Sequence, residues 1–310
     1  MSTQKRLQLK GPNPISIPRC LPLPTPLQNS IQGLCDVERL KFLGHGSEGI
    51  VYKVLQRKSC SYYALKVVHR KAGSTEKIMR EVEIMKKIHS SRIVQFEGAF
   101  EEGGNINFLL EYMDGGSLHS LLKLNKRMAV SFLARVARHV LEGLEYLQSE
   151  NIVHRDIKPS NLLINLNPLQ IKIADFGVST IVSELACDIY NSSAGTCAYM
   201  SPERLNPYIY DGAPYDDYYY GGDIWSLGVT LMECYVGHHP FLPPDQNIDL
   251  ATLMCAICFE DSPTLPPAAS TEFYNFIECC LKKDVRRRGT ASQLLNHPFI
   301  VNNMAKEKFL

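Results

Sequence analysis

His154-Arg155-Asp156-Ile157-Lys158-Pro159-Ser160-Asn161, with Asp175-Phe176-Gly177 beginning fourteen residues after Asn161, is the stretch on which the fold turns. An HRDxxxxN run with a DFG at that distance leaves almost no room for coincidence. Its residue types suit one chemistry. A carboxylate such as Asp156 can receive the proton of an attacking hydroxyl. Asp175 and Asn161 offer the hard oxygen ligands that Mg²⁺ takes when it bridges phosphate groups. Lys158, two residues past the aspartate, can neutralise a transferring phosphoryl group as a point charge.

Working towards the N-terminus, Ala64-Leu65-Lys66 places a lysine in an apolar strand. Burying that ammonium is costly without an anionic partner. Glu81 lies fifteen residues on, on a helix with an apolar face of Ile78, Val82, Met85 and Ile88, and a Lys66–Glu81 pair accounts for both residues. Further back, Gly44-His45-Gly46-Ser47-Glu48-Gly49-Ile50-Val51 reads GxGxxGxV. Glycines let backbone approach a ligand closely, and backbone N–H groups can then cradle phosphate oxygens. A dinucleotide-binding turn of this wording should open a helix. Here a strand, residues 51–55, follows, which favours a hairpin loop over phosphates.

Strand-like runs cover residues 38–44, 49–55, 62–68, 94–101 and 105–112, and the helical run over 75–89 sits among them. After Gly115-Gly116 the chain turns helical over 118–124, 130–149, 223–235 and 271–281, with short strands predicted at 162–165 and 170–174. The fold class is therefore α+β: a small antiparallel β lobe with one helix, about 36–113, then a larger, mainly helical lobe, about 114–300. Residues 301–310 read as a short C-terminal tail. Residues 1–35 carry six prolines and no acidic residue, which predicts an extended, disordered tail. Tyr208–Gly222, with six tyrosines, three aspartates and three glycines, reads as a loop.

A formal net charge of +1 gives no electrostatic case for nucleic acid or an anionic membrane. No apolar run approaches the ~20 residues of a membrane span. The ten cysteines are scattered without paired metal spacing. Cys255 and Cys258, inside an apolar run, read as small core hydrophobes in a reducing compartment. Expected localisation is cytoplasmic, with nuclear entry as an extension, and the expected state is monomeric.

Together these motifs, with Ser201-Pro202-Glu203, resemble the eukaryotic protein kinases over about residues 37–300. The resemblance implies a two-lobed fold binding ATP and Mg²⁺ in its cleft. On the ATP side it implies Leu43, Gly44, Gly46, Gly49, Val51, Ala64, Lys66 and Glu81, with a gatekeeper at Leu110 and a hinge through Glu111, Tyr112 and Met113. Asp156, Lys158 and Asn161 are the implied catalytic set, and Asn161 and Asp175 the implied metal ligands. Asp223 would anchor the catalytic loop, and Arg288 would pair with Glu203. Glu111–Leu118, His154–Leu163 and Gly195–Arg204 are similar to the MAP kinase kinases, most of all to the plant members. That likeness implies a dual-specificity enzyme with a MAP kinase as substrate and a MAP kinase kinase kinase upstream.

Lys5-Arg6-Leu7-Gln8-Leu9 fits a docking motif: the basic pair meets an acidic patch, and Leu7 and Leu9 fill apolar pockets. One departure stands out. The plant enzymes space two loop phosphoacceptors S/T-x₅-S/T, whereas here residues 186 and 187 are Ala and Cys, so only Ser192 or Ser193 is retained. Arg155 is the expected partner of a phosphate there. Two rivals remain open at this point: a kinase of the MAP kinase kinase kinase or Ste20-like type, and a weakly active, scaffolding kinase-fold protein.

Overall fold

The computed structural model describes residues 31, 33–45, 49–70, 75–182, 195–207, 215–242 and 248–307. Gly46, Ser192, Ser193 and the proposed docking residues Lys5, Arg6, Leu7 and Leu9 lie outside them. The upper lobe is a five-stranded sheet in the order β1-β2-β3-β5-β4. Its strands are β1 (Val37–His45), β2 (Gly49–Gln56), β3 (Tyr62–His69), β4 (Phe96–Glu102) and β5 (Asn105–Glu111), and all neighbours are antiparallel. Alternation gives the sheet two faces. Val54, Leu65 and Leu109 pack outward with Val37 and Phe100. Val51, Lys66 and Phe108, in register across β2, β3 and β5, point the other way.

The outer cluster is roofed by Ile31 and Leu34, and the Leu34 N–H donates to Glu102 Oε2 at 2.7 Å. Packed structure therefore begins inside the stretch expected to be tail up to residue 35. The helix between β3 and β4, α1 (Thr75–Lys87), buries Ile78, Val82 and Met85, as its spacing predicts, and buries Glu81 among them.

The lower lobe opens with α2 (Leu118–Asn125), whose N-cap Ser117 accepts from the Ser120 N–H. It continues with α3 (Val130–Ser149), β6 (Ile152–Val153), the hairpin β7 (Leu162–Leu166) and β8 (Leu169–Ile173), and β9 (Thr180–Ile181), which pairs with β6. Then come α4 (Pro202–Leu205), α5 (Tyr215–Val236), α6 (Leu250–Cys258), α7 (Thr271–Cys280), α8 (Ala291–Leu295) and α9 (Pro298–Glu307). Trp225, Leu227, Val229 and Leu231 of α5 are fully buried, as suits a helix enclosed on all sides. One hydrophobic core runs from α1 through Phe108 and Phe176 to Trp225 and the C-terminal helices.

Three expectations are corrected here. Residues 215–222 are helical, not loop: α5 starts at Tyr215. Gly221 there is a packing residue rather than a breaker, since a Cβ on it would lie 2.5 Å from Val285 Cγ2. Helix α9 carries through residues 301–307, where a tail was expected. Cys258 is buried as expected but Cys255 is exposed, because only one side of α6 meets the lobe.

Below α5, Arg288 closes on Glu203 with Nη1 to Oε1 at 2.6 Å and Nη2 to Oε2 at 3.0 Å. Both side chains are essentially without solvent contact. The same guanidinium donates to the Gly221 and Lys282 carbonyls and lies 5.3 Å from the Trp225 ring.

Candidate active site

Lys66 on β3 meets two carboxylates at once. Its Nζ donates to Glu81 Oε1 at 2.9 Å and to Asp175 Oδ1 at 2.8 Å. This answers why α1 buries a glutamate and β3 a lysine: each is the other's counter-charge. Burial alone pushes the Lys66 pKa down, but Glu81 and Asp175 more than reverse it, so it stands above the usual lysine range. Burial likewise pushes the Asp175 carboxyl up, and Lys66 overrides it, holding Asp175 below the usual range. An ammonium has three donors. Two are used here, which leaves one for a phosphate oxygen.

The catalytic loop is hung from α5. Asp223 accepts from the His154 N–H at 2.9 Å and the Arg155 N–H at 2.8 Å. These bonds help hold Arg155 at φ 69°, and Asp175 sits at φ 67°. Both lie in a left-handed region that non-glycine residues visit rarely and that gathers at functional sites. Phe176 is buried in the main core, edge-on to the His154 ring at 5.0 Å.

Four donors fix the Asp156 carboxylate. Oδ1 accepts from the Thr196 N–H at 3.0 Å and the Thr196 hydroxyl at 2.8 Å. Oδ2 accepts from Asn161 Nδ2 at 2.9 Å and pairs with Lys158 Nζ at 2.7 Å. Lys158 also donates to Thr196 Oγ1 at 2.6 Å. The Asn161 amide nitrogen faces Asp156, and its oxygen, which accepts a long bond from the Ser160 hydroxyl at 3.4 Å, keeps a lone pair that could face a cation. With Asp175 it makes a hard-oxygen donor pair that suits a Mg²⁺ also bound by phosphates and water.

On the nucleotide side the structure redistributes some roles. Gly44 pairs with Val51 across β1 and β2, and a Cβ on Gly44 would meet nothing within 4 Å. At Gly49 a Cβ would lie 2.2 Å from the Val67 carbonyl oxygen, so this glycine is needed for strand packing as such. Leu43, at the register shift before Gly44, is 40% exposed, while Val51, Ala64 and Leu110 are half-buried. Met113 is buried, and its carbonyl accepts from Gly116 N–H. The Glu111 side chain engages Lys172 on β8, so any part Glu111 plays towards a nucleotide falls to its backbone. Arg155 donates through Nε to the Val178 carbonyl at 2.6 Å.

Sequence reasoning missed Thr196 beside Asp156 and, apart from the reacting groups, the pairing of Lys172 with Glu111. Thr196 sits in a stretch without periodicity, forty residues from its partner, and gives no local signal. Replacing it by valine removes the hydroxyl that joins Asp156 to Lys158. Turnover at saturating ATP should fall about 10- to 100-fold, and serine should restore it to within about threefold, as measured by steady-state kinetics. An unchanged valine variant would refute this role.

A cavity of about 40 Å³ lies below the site, lined by Leu144, Ile152, Ile224 and Val285. It has room for no more than a few waters.

Residues 37–300 match the family described as Protein kinase domain. Mitogen-activated protein kinase kinase 9 of Arabidopsis thaliana is 48% identical over 270 residues, 86% of this chain and 84% of its own length. Mitogen-activated protein kinase kinase 7 of the same plant is 47% identical over 281 residues, covering 89% and 88%. The tobacco (Nicotiana tabacum) mitogen-activated protein kinase kinase SIPKK is 39% identical over 286 residues, covering 89% and 77%.

Proposed function

This chain belongs to the protein kinases and, within them, to the MAP kinase kinases, and from that premise we propose that it transfers the ATP γ-phosphate to both Thr and Tyr in the activation loop of a MAP kinase. The observation that carries the reading is the arrangement around Asp156: its carboxylate is oriented by Thr196, Asn161 and Lys158, while Lys66 bridges Glu81 and Asp175. Both halves of a phosphoryl-transfer site are set in one conformation.

In the step we infer, the acceptor hydroxyl oxygen bonds to the γ-phosphorus as its bond to the β–γ bridging oxygen breaks. The hydroxyl proton passes to Asp156, and ADP leaves. Lys66 orients the phosphates by its remaining donor, and Lys158 offsets charge on the transferring group. Asp175 and Asn161 would hold Mg²⁺, which when bound neutralises phosphate charge. Next to Thr196, the turn Cys197–Tyr199 is fixed to α5 by Tyr199 OH to Glu233 Oε2 at 2.6 Å and Ser226 Oγ to the Tyr199 carbonyl at 2.7 Å. Dual specificity is the finer part of the proposal and rests on the resemblance of Glu111–Leu118, His154–Leu163 and Gly195–Arg204 to the MAP kinase kinases. Activation by an upstream MAP kinase kinase kinase through Ser192 or Ser193, and substrate docking through Lys5, Arg6, Leu7 and Leu9, complete the proposal.

The test is transfer of labelled γ-phosphate from Mg·ATP to a panel of kinase-inactive MAP kinases, with the acceptor residues mapped. We expect label on both a loop Thr and a loop Tyr, lost in Lys66→Met. Label on Ser or Thr of unrelated proteins only, with no MAP kinase modified, would replace this reading by that of another serine/threonine kinase.

A further inference from the structure

Two successive residues at the end of β5 are tied to different lobes. Glu111 reaches downward: Lys172 Nζ donates to both its carboxylate oxygens, at 2.7 and 2.8 Å. Lys172 lies on β8, three residues before Asp175, and its side chain is 8% exposed. Gln95 joins from the segment after α1, its N–H donating to Glu111 Oε2 at 3.1 Å while the Glu111 N–H donates to the Gln95 carbonyl at 2.9 Å. That segment is itself bonded to β8, Val94 N–H to the Ile173 carbonyl and Ile173 N–H to the Arg92 carbonyl, both at 2.9 Å.

Tyr112 reaches upward. Lys53 of β2 places its ammonium 4.0 Å from the Tyr62 ring centroid and 4.4 Å from that of Tyr112. The two rings are 6.4 Å apart and tilted by 58°. Both distances fall inside the ~6 Å range of cation–π attraction.

We propose that Glu111 and Tyr112 form a two-sided clamp on the hinge, with Lys172 and Lys53 as positioning residues that set how long a nucleotide stays bound. Opening the cleft rotates the upper lobe against the lower about residues 111–113, so it must stretch the Glu111–Lys172 pair, the Tyr112–Lys53–Tyr62 stack, or both. The lower tether is the stronger, because it is a largely buried, charge-assisted pair. The upper one is more exposed and weaker. Neither lysine contacts the Asp156 group, so the clamp acts on nucleotide exchange and leaves the chemical step alone. The proposal rests on the reading of the cleft as the nucleotide site, and its test separates the two.

The full chain is loaded with N-methylanthraniloyl-ADP and chased with excess ADP in a stopped-flow fluorimeter, and phosphoryl transfer is timed in a single turnover at saturating ATP. Lys172→Met is expected to speed release about tenfold or more, and Lys53→Met about threefold. Lys172→Arg, which keeps the pairing with Glu111, should stay within about twofold of wild type. Single-turnover rates should change less than about twofold in all three. Failure of the wild type to bind the probe would refute the nucleotide cleft itself. Binding with unaltered release in Lys172→Met and Lys53→Met overturns the clamp. So does a loss of single-turnover rate equal to the change in release, since the pair would then serve the chemistry. If Lys172→Met does not fold, Lys53→Met and Lys172→Arg still decide the matter, because an arginine that releases the probe as fast as Lys53→Met removes the case for pairing.

Discussion

In Asp156→Asn, turnover should fall about 10²- to 10⁴-fold, with nucleotide affinity changed little. The substitution keeps shape and volume and removes the charge, so it isolates what the carboxylate does. An amide oxygen is a far weaker proton acceptor than a carboxylate, so the hydroxyl proton has nowhere to go as the new bond forms. There is a second consequence. All four partners of Asp156 present donors: Thr196 N–H, Thr196 Oγ1, Asn161 Nδ2 and Lys158 Nζ. An asparagine must set an NH₂ against one pair of them, donor against donor. The activation segment carrying Thr196 should therefore loosen as well, and Thr196 amide exchange should quicken. Single-turnover transfer alongside equilibrium nucleotide binding measures both parts. A variant retaining more than a tenth of wild-type turnover would remove Asp156 from its assigned role.

The largest stability effect is expected at Glu203. Glu203→Ala leaves the Arg288 guanidinium, 1% exposed, without its carboxylate. Breaking a buried pair from one side costs about 3–5 kcal/mol, a large part of the ~5–15 kcal/mol that holds a typical domain folded. With about 2–4 °C lost per kcal/mol in a domain of this class, Tm should drop by roughly 6–20 °C. The double replacement Glu203→Leu with Arg288→Met should regain most of that loss, because no lone charge is left buried. Thermal unfolding followed by circular dichroism is the check. A drop below about 2 °C for Glu203→Ala would mean that the remaining Arg288 partners, the Gly221, Lys282 and Lys283 carbonyls, suffice.

The contrast between Lys66 and Lys172 shows what a linear chain reveals. Both are lysines between apolar neighbours on a buried strand, Leu65-Lys66-Val67 and Ile171-Lys172-Ile173. Lys66 was legible because Glu81 stands within the apolar stripe of a helix, where a carboxylate has no business without a partner. Glu111 stands at a strand end, an ordinary place for an acid, and gave no such sign. Thr196 was invisible for a different reason: only folding brings it to Asp156. The upper sheet was readable almost strand for strand, since its runs are rich in β-branched and aromatic residues and are bounded by Gly- or Lys/Ser-containing turns. The start of α5 was not, because Gly221-Gly222 reads as a break until Val285 is seen packed against it.

Phe176 has a bearing on how the protein could be inhibited. Its ring is 3% exposed and belongs to the same core as Phe108 and Trp225. A small molecule that takes the place of that ring must first turn it out towards water, forgoing about 1.5–3 kcal/mol of burial. Such a compound would bind roughly 10- to 150-fold more weakly than its own contacts would give. One that sits above Phe176 and leaves the ring in place carries no such handicap, so the two kinds of compound start from unequal positions before a single substituent is chosen.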